Sequence, residues 1–252
     1  MDQPSIESLE RATLAAVPPR EVQSLDGWLL SLDPGTVGRA HSAVPTRHEG
    51  IDAGVVAEIE RSYSERGLNA VFRLPRVAAF DPVRHALLAR GYAATQPTLT
   101  MVGEPSSAAS LPSSDATVEL TSQATDDWSA VYLGGDFDPV DGACRVGLLR
   151  KSRQSLFAGV RLKGRMVAVG CGCFAEGWWG VHGMRTAAAW RGRGFAAAIL
   201  AALGQEAVRR GIGRAFLQVE SSNAAQSIYR RAGFADAWSY DYWRRRWGTR
   251  ER

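Results

Sequence analysis

Two periods of apolar residues run along this chain. Three consecutive runs, 155–162, 165–175 and 178–186, have the length and apolar content of paired strands. Lys163-Gly164 and Glu176-Gly177 separate them as hairpin turns. Beyond a Gly-rich loop, Phe195, Ile199, Ala202 and Leu203 fall on one face at helical spacing, predicting a helix to about Arg210. A short apolar strand at 215–220 follows. Asn223 is then a natural cap for a helix ended by Gly233, and a last strand covers about 237–243. Upstream of these, the pattern predicts a short strand at 117–120 and helical stretches at 125–133 and 139–150.

The first hundred residues repeat that order. A helix at 5–16 and strands at 27–32 and 37–44 precede an amphipathic helix, with Ile51, Val55, Val56, Ile59 and Tyr63 on one side. A strand at 69–74, a helix at 81–90 and a strand at 95–102 follow. Arg47 stands 20 residues before Gly67, as Arg191 stands 20 before Gly211. Each glycine closes a helix and leads to a short strand, a helix, and Arg-Gly-Tyr (90–92) or Ala-Gly-Phe (232–234). The ordered series predicts a duplicated domain. Residues 103–115, rich in Ser, Pro and Ala, are the natural linker. The expected division is 1–104, a linker at 105–115, and 116–252.

Composition narrows the class. With 45% apolar and 22% charged residues, the 252-residue chain reads as an ordinary globular protein able to bury its own core. Cys144, Cys171 and Cys173 give an odd count with no Cys-x-x-Cys pair, which argues against a disulfide framework or a zinc site. No basic start runs into an apolar stretch and no segment is apolar enough to span a bilayer, so the expectation is a cytoplasmic protein without membrane attachment. The net charge of +4 owes much to Arg244, Arg245, Arg246, Arg250 and Arg252. These read as a solvated tail rather than a nucleic-acid patch.

The strongest chemical signal is Trp190-Arg191-Gly192-Arg193-Gly194-Phe195-Ala196, placed after a predicted strand and opening a predicted helix. Glycines allow close backbone approach, and free N–H groups at a helix start favour an anion. A Gly-rich turn alone is weak evidence. The wider stretch 184–234 resembles the GCN5-related N-acetyltransferase (GNAT) family. Its pyrophosphate loop, Gln/Arg-x-x-Gly-x-Gly/Ala, is met by Arg191, Gly194 and Ala196. Ala188 stands where the family's preceding strand usually ends in proline. Asn223, Tyr229 and Gly233-Phe234 match the downstream pattern, with its alanine one place early. The N-terminal half is similar to a diverged second copy, as in tandem members.

The resemblance implies an α/β (α+β) fold of two GNAT-like domains, each a mixed, mostly antiparallel sheet flanked by helices. It implies an N-acetyltransferase that passes acetyl from acetyl-CoA to a primary amine by direct attack. The acetyl-CoA side would comprise Met184, Arg185, Thr186, Arg191, Gly192, Arg193, Gly194, Phe195 and Ala196, with Asn223 and Tyr229. A backbone N–H near 184–186 would polarise the thioester carbonyl. Tyr229 would protonate the leaving thiolate, or else it fills the core. Glu220 and His182 are the candidate bases, Glu176 being too distant in its turn, and each is equally readable as structural. Trp178, Trp179, Trp238, Tyr240, Tyr242 and Trp243 suit either a substrate wall or sheet packing. In the N-terminal copy, Glu49 and Asp52 place carboxylates where the anion would sit, so that copy is expected to lack a cofactor site. The rival readings are an acyl-CoA-binding regulator without chemistry and a basic nucleic-acid module. The acceptor amine is not written in these residues.

Overall fold

A computed structural model describes residues 3–245 apart from 113 and 136, with side chains from Ile6 onward. The arginines at 246, 250 and 252 lie outside the described residues. Helix α1 (Gln3–Ala16) is followed by β1 (Glu21–Leu25), β2 (Trp28–Leu32), β3 (Ala43–Pro45), α2 (Val55–Ser64), β4 (Phe72–Pro75), α3 (Asp81–Ala89) and β5 (Tyr92–Gly103). Then come α4 (Pro105–Ala109), β6 (Val118–Thr121), α5 (Asp126–Leu133), α6 (Pro139–Lys151), β7 (Ser155–Leu162), β8 (Arg165–Ala175) and β9 (Trp178–Thr186). Helix α7 (Phe195–Arg209), β10 (Arg214–Glu220), α8 (Gln226–Arg231) and β11 (Ala235–Arg245) complete the chain.

All the strands join one sheet in the order β1-β2-β3-β4-β11-β5-β10-β9-β8-β7-β6. The two halves follow the same strand order, the second carrying one more strand in its antiparallel part. In each, an antiparallel hairpin leads to a parallel pair joined through a helix: β3-α2-β4 in the first and β9-α7-β10 in the second. The last strands are exchanged. β5 lies against β10 of the other half, with Glu220 opposite Thr98, and β11 lies against β4, with Tyr242 opposite Arg73. β5 and β11 pair with each other antiparallel at the centre. Each half is thus a mixed, mostly antiparallel sheet flanked by helices, and the two are interleaved into a single sheet.

The stretch expected to link the halves is partly structural. Residues 105–109 form α4, and Ala108 is fully buried against α7. Gly204 of α7 is the reason they fit: a Cβ there would lie 2.8 Å from the Ala109 backbone nitrogen. The expected strand over 37–44 is instead a 3-10 turn at Gly38–Ala40 and the short β3. Gly38 sits so close to Tyr242 that a Cβ would come within 2.7 Å of its ring.

On one face of the second half, α7 buries Ile199, Leu200 and Leu203 over Trp179, Val181, Leu217 and Val219. On the other face, α1 covers Trp178 and Phe216 with Leu9 and Ala12. Along β10, odd residues therefore face α7, and Phe216, Gln218 and Glu220 face the opposite side. This alternation is the pleat of a strand buried on both faces.

Candidate functional site

The site begins where β9 and β10 part. Their parallel register runs from Trp178↔Arg214 to Val181↔Leu217 and stops, although β9 continues to Thr186 and β10 to Glu220. A bulge drives the divergence. On β8, Cys171 pairs with His182 and Val169 with Arg185, so one β8 residue, Gly170, faces both Gly183 and Met184. Gly183 takes the left-handed conformation, φ +60°, that such a bulge needs. Beyond it, the β9 edge toward β10 is free of the ladder, leaving backbone groups of 184–186 for a ligand.

Helix α7 opens beside this gap. Gly194 precedes it with φ +78°, and Gly192 is also left-handed at φ +75°. The helical ladder starts with Ala198 N–H donating to Gly194 O at 3.0 Å. The N–H groups of the first turn therefore precede the ladder. No side chain caps this end, and the first turn holds no acidic residue. Aligned peptide dipoles make such an end an anion site. Arg191 donates from Nε to Thr186 O at 3.2 Å, tying the loop to the end of β9. Arg193 instead lies over the Trp190 ring, 4.7 Å from its centroid.

A cleft of about 400 Å³ runs over this helix start, lined by Met184–Thr186, the loop 190–197, Tyr229 and residues outside that loop that the sequence did not single out as ligand contacts: Pro112, Ala225, Ile228 and Arg231. An adjoining space of about 450 Å³ shares Met184, Arg185, Thr186, Arg191 and Tyr229 and reaches Asn223. The residues expected on the acetyl-CoA side are thus brought together, with differences in what each presents. Met184 packs its sulfur against Gly170, while the Arg185 side chain turns away to donate to Tyr132 O at 3.2 Å. Phe195 is buried in the core. Asn223 accepts from Ala225 N–H at 2.8 Å, and the cap position of α8 falls on Ala225, so Asn223 shapes the preceding turn.

Tyr229 lies at the junction of the two spaces. Burial pushes its phenol up to about 12, so it stays protonated at neutral pH. Among the described residues its hydroxyl makes no hydrogen bond. Glu220 and His182 lie on the opposite face from α7. Glu220, exposed at the end of β10, accepts from Gln96 Nε2 at 2.8 Å. It borders a separate cavity of about 200 Å³ with Gln218, Tyr240 and Arg39. His182 is 4% exposed, and burial, then the charge of Arg39, holds its pKa well below the usual imidazole value. Its Nδ1 is 3.5 Å from Arg39 Nη1, and its Nε2 is buried without a partner among the described residues. Glu176 lies in the β8–β9 turn, at the end of β9 away from Thr186. Among the described residues no group of His, Cys, Asp and Glu could hold a metal, and no helix is long and apolar enough to cross a membrane.

In the N-terminal half, the corresponding helix start is filled. Asp52 Oδ1 accepts from Gly54 N–H at 2.9 Å, and Arg47 donates to Gly50 O at 3.1 Å.

No curated protein matches the sequence significantly. Among solved structures, the fold is similar to a GCN5-related N-acetyltransferase from Kribbella flavida, with 19% identity, 96% of each chain covered and a TM-score of 0.70. It is similar to a functionally unknown conserved protein from Staphylococcus epidermidis, with 12% identity, 92% of this chain and 96% of that one covered, and a TM-score of 0.71. A tandem GNAT protein from the clavulanic acid biosynthesis pathway shares 12% identity over 94% of each chain, with a TM-score of 0.59. A family model described as "Probable histone acetyltransferase Rv0428c C-terminal" matches residues 4–243. With that match spanning nearly the whole chain and a fold shared with GNAT structures, the protein belongs to this family of GCN5-related N-acetyltransferases, whose fold supports acetyl transfer.

Proposed function

We propose that the C-terminal half binds acetyl-CoA and transfers its acetyl group to a primary amine by direct attack, both substrates being held at once. The observation that carries this reading is the uncapped start of α7 beside the gap between β9 and β10. The cleft lies on the α7 face of the sheet, and a separate polar cavity lies at the end of β10 on the other face.

The residues fit the cosubstrate. Left-handed Gly192 and Gly194 and the N–H groups at the start of α7 would hold a pyrophosphate, with Arg191 adding positive charge at the rim. The backbone of Met184–Thr186 would orient an amide-bearing chain and a carbonyl oxygen. Acetyl-CoA supplies an acetyl group activated as a thioester. Tyr229 retains its proton in this environment and is placed to give it up at the leaving sulfur. On the acceptor side, Glu220 is the carboxylate bordering the cavity and would take the proton of an incoming ammonium. His182 is neutral but enclosed, and we assign it to the wall rather than the proton path. The N-terminal half contributes the other wall of the cavity and has no acetyl-CoA site of its own.

The test is release of free thiol from acetyl-CoA in the presence of an amine panel, with Tyr229→Phe beside wild type. The expected loss in turnover is roughly 10²-fold, on the usual scale for acid–base groups. Acetyl-CoA affinity and melting temperature should stay near wild type. Binding with no turnover of any amine would leave an acyl-CoA-binding protein without chemistry, and absence of binding would overturn the reading altogether.

A further inference from the structure

The cavity beside Glu220 differs in character from the cleft over α7. It is small, about 200 Å³, and its walls come from both halves of the chain. Thr36–Arg39, Gln96 and Thr98 are from the first; Arg145, Gln218, Glu220, Tyr240, Tyr242 and Arg244 are from the second. Pockets for drug-sized ligands run to about 300 Å³ and above, so this one suits a group of roughly amino-acid size.

Its charges are not balanced internally. Of its three arginines, Arg145 is paired with Asp141 at 2.8 Å, and Arg244 donates to Thr95 Oγ1 at 2.9 Å from an exposed strand end. Arg39 is different. It is partly buried, it has no carboxylate partner among the described residues, and its hydrogen-bond contact there is with the neutral His182 ring, at 3.5 Å, while its charge also acts on Tyr240. A half-buried guanidinium facing a cavity with no anion beside it gains from charge-assisted hydrogen bonds to an anionic group. Gln218 adds a second unmet group: its Nε2 is buried with no acceptor among the described residues, while its Oε1 is 3.5 Å from the Tyr240 hydroxyl. Both unmet groups are hydrogen-bond donors, so what fits between them is an acceptor, and an anionic one. Glu220, on the same face two residues beyond Gln218, supplies the opposite charge.

Arg39 is held there by its neighbour. Gly38 packs its backbone on Tyr242, where a Cβ would come within 2.7 Å, and this close approach brings the turn down onto β11. The two halves thus assemble a site that neither contains alone.

We infer that the acceptor is a small amine that also carries a carboxylate, an amino acid or a residue-sized analogue, its carboxylate bound by Arg39 and Gln218 and its ammonium held at Glu220. This rests on the acetyl-transfer reading above and narrows its substrate class. In the step itself, the ammonium first gives one proton to Glu220. The amine nitrogen then forms a bond to the acetyl carbon as the carbon–sulfur bond breaks, and the second nitrogen proton balances the one that the leaving sulfur takes up to become a thiol.

The experiment compares the twenty L-amino acids with their C-terminal amides as acceptors, read by thiol release, in wild type, Arg39→Gln and Arg39→Lys. Acetyl-CoA binding is measured by calorimetry in parallel. The expected result is at least one free amino acid used with a kcat/KM ten-fold or more above that of its amide. Arg39→Gln should abolish that preference mainly through KM, and Arg39→Lys should restore part of it. Acetyl-CoA affinity should not change in either variant. Amides used as well as acids, or a preference untouched by Arg39→Gln, would overturn the inference. Normal acetyl-CoA binding with neither series accepted would also overturn it, leaving the cosubstrate site standing. Loss of acetyl-CoA binding in wild type would sink the reading beneath it.

Discussion

Arg73 on β4 donates from Nη2 to Glu10 of α1 at 2.7 Å, with the two side chains 1% and 3% exposed. Burial alone would weaken the charge on Arg73, but the neighbouring Glu10 more than offsets this, and its pKa is raised. The guanidinium also reaches Ser42 Oγ and lies 5.5 Å from the Tyr240 ring centroid, under the acceptor cavity. Breaking one side of a buried pair strands the other charge. Glu10→Ala is expected to cost roughly 3–5 kcal/mol. A Glu10→Leu, Arg73→Met double variant should be less destabilised than that single change, because no charge is left behind. Urea denaturation of the two variants checks this; a double variant weaker than Glu10→Ala would show that the pair stabilises the fold in itself.

The exchanged strands predict how the chain can be cut. A 116–252 fragment would lose β5, which pairs with β10 along Thr98–Gly103 and with β11 along most of its length. β10 would be left as an open edge, and β11, flanked on both sides by strands of the other fragment, would lose both neighbours; open edges are the condition under which strands aggregate. We expect this fragment to be insoluble alone and to be recovered, folded, when co-expressed with 1–115. A monomeric 116–252 fragment with a sharp unfolding transition would contradict the interdependence of the halves.

What could be read from the sequence followed from local chemistry. The hairpin strands at 155–162, 165–175 and 178–186 emerge with the expected bounds, because turn dipeptides and apolar runs define both ends. The loop around Gly194 was legible for the same reason. β1 was missed: it is a polar edge strand with Val22 exposed, although the Asp26-Gly27 turn joining Leu25 to Trp28 is a strong hairpin sign. α4 was missed because its Ser and Ala residues carry no periodic signal; Gly204 on another helix makes room for it. The strand exchange and the cavity with Arg39 are long-range outcomes. Nothing within ten residues of Arg39 announces His182 or Gln218 as its neighbours.

Two imidazoles, His48 half-buried and His182 buried, set an acid limit. Burial lowers the pKa of His48, which is edge-on to Phe80 and Trp238, to about 4, and holds that of His182 well below its usual value. For a depressed histidine the unfolded chain binds the proton first. The stability is therefore present above about pH 6.5, the ordinary histidine value, and is lost as pH falls toward the folded-state value. The urea midpoint should drop between pH 7 and pH 4.5. In His48→Gln that slope should be shallower, whatever the variant's stability at pH 7. An identical slope would mean that the His48 ring is protonated in the folded protein.

The two helix starts predict the stoichiometry of acetyl-CoA. α7 begins with left-handed Gly194, no side-chain cap and no acid in its first turn. α2 begins with Asp52 bonded to Gly54 N–H, and the Arg47 guanidinium donates to the loop's own Gly50 carbonyl. A carboxylate at that position satisfies the helix dipole and repels a pyrophosphate. On this contrast the second half alone is expected to hold the anion, and calorimetry should give one acetyl-CoA per chain. Gly194→Asp tests the same contrast directly, since it puts a carboxylate at the start of α7 and strains a backbone at φ +78°. A Cβ there also comes within 3.2 Å of the Ser114 backbone nitrogen, so the variant's fold must be checked by its melting transition. In a folded Gly194→Asp protein, acetyl-CoA binding should disappear entirely. If one molecule per chain still bound, the site would lie elsewhere, and two per chain in wild type would mean that Asp52 does not close the first half.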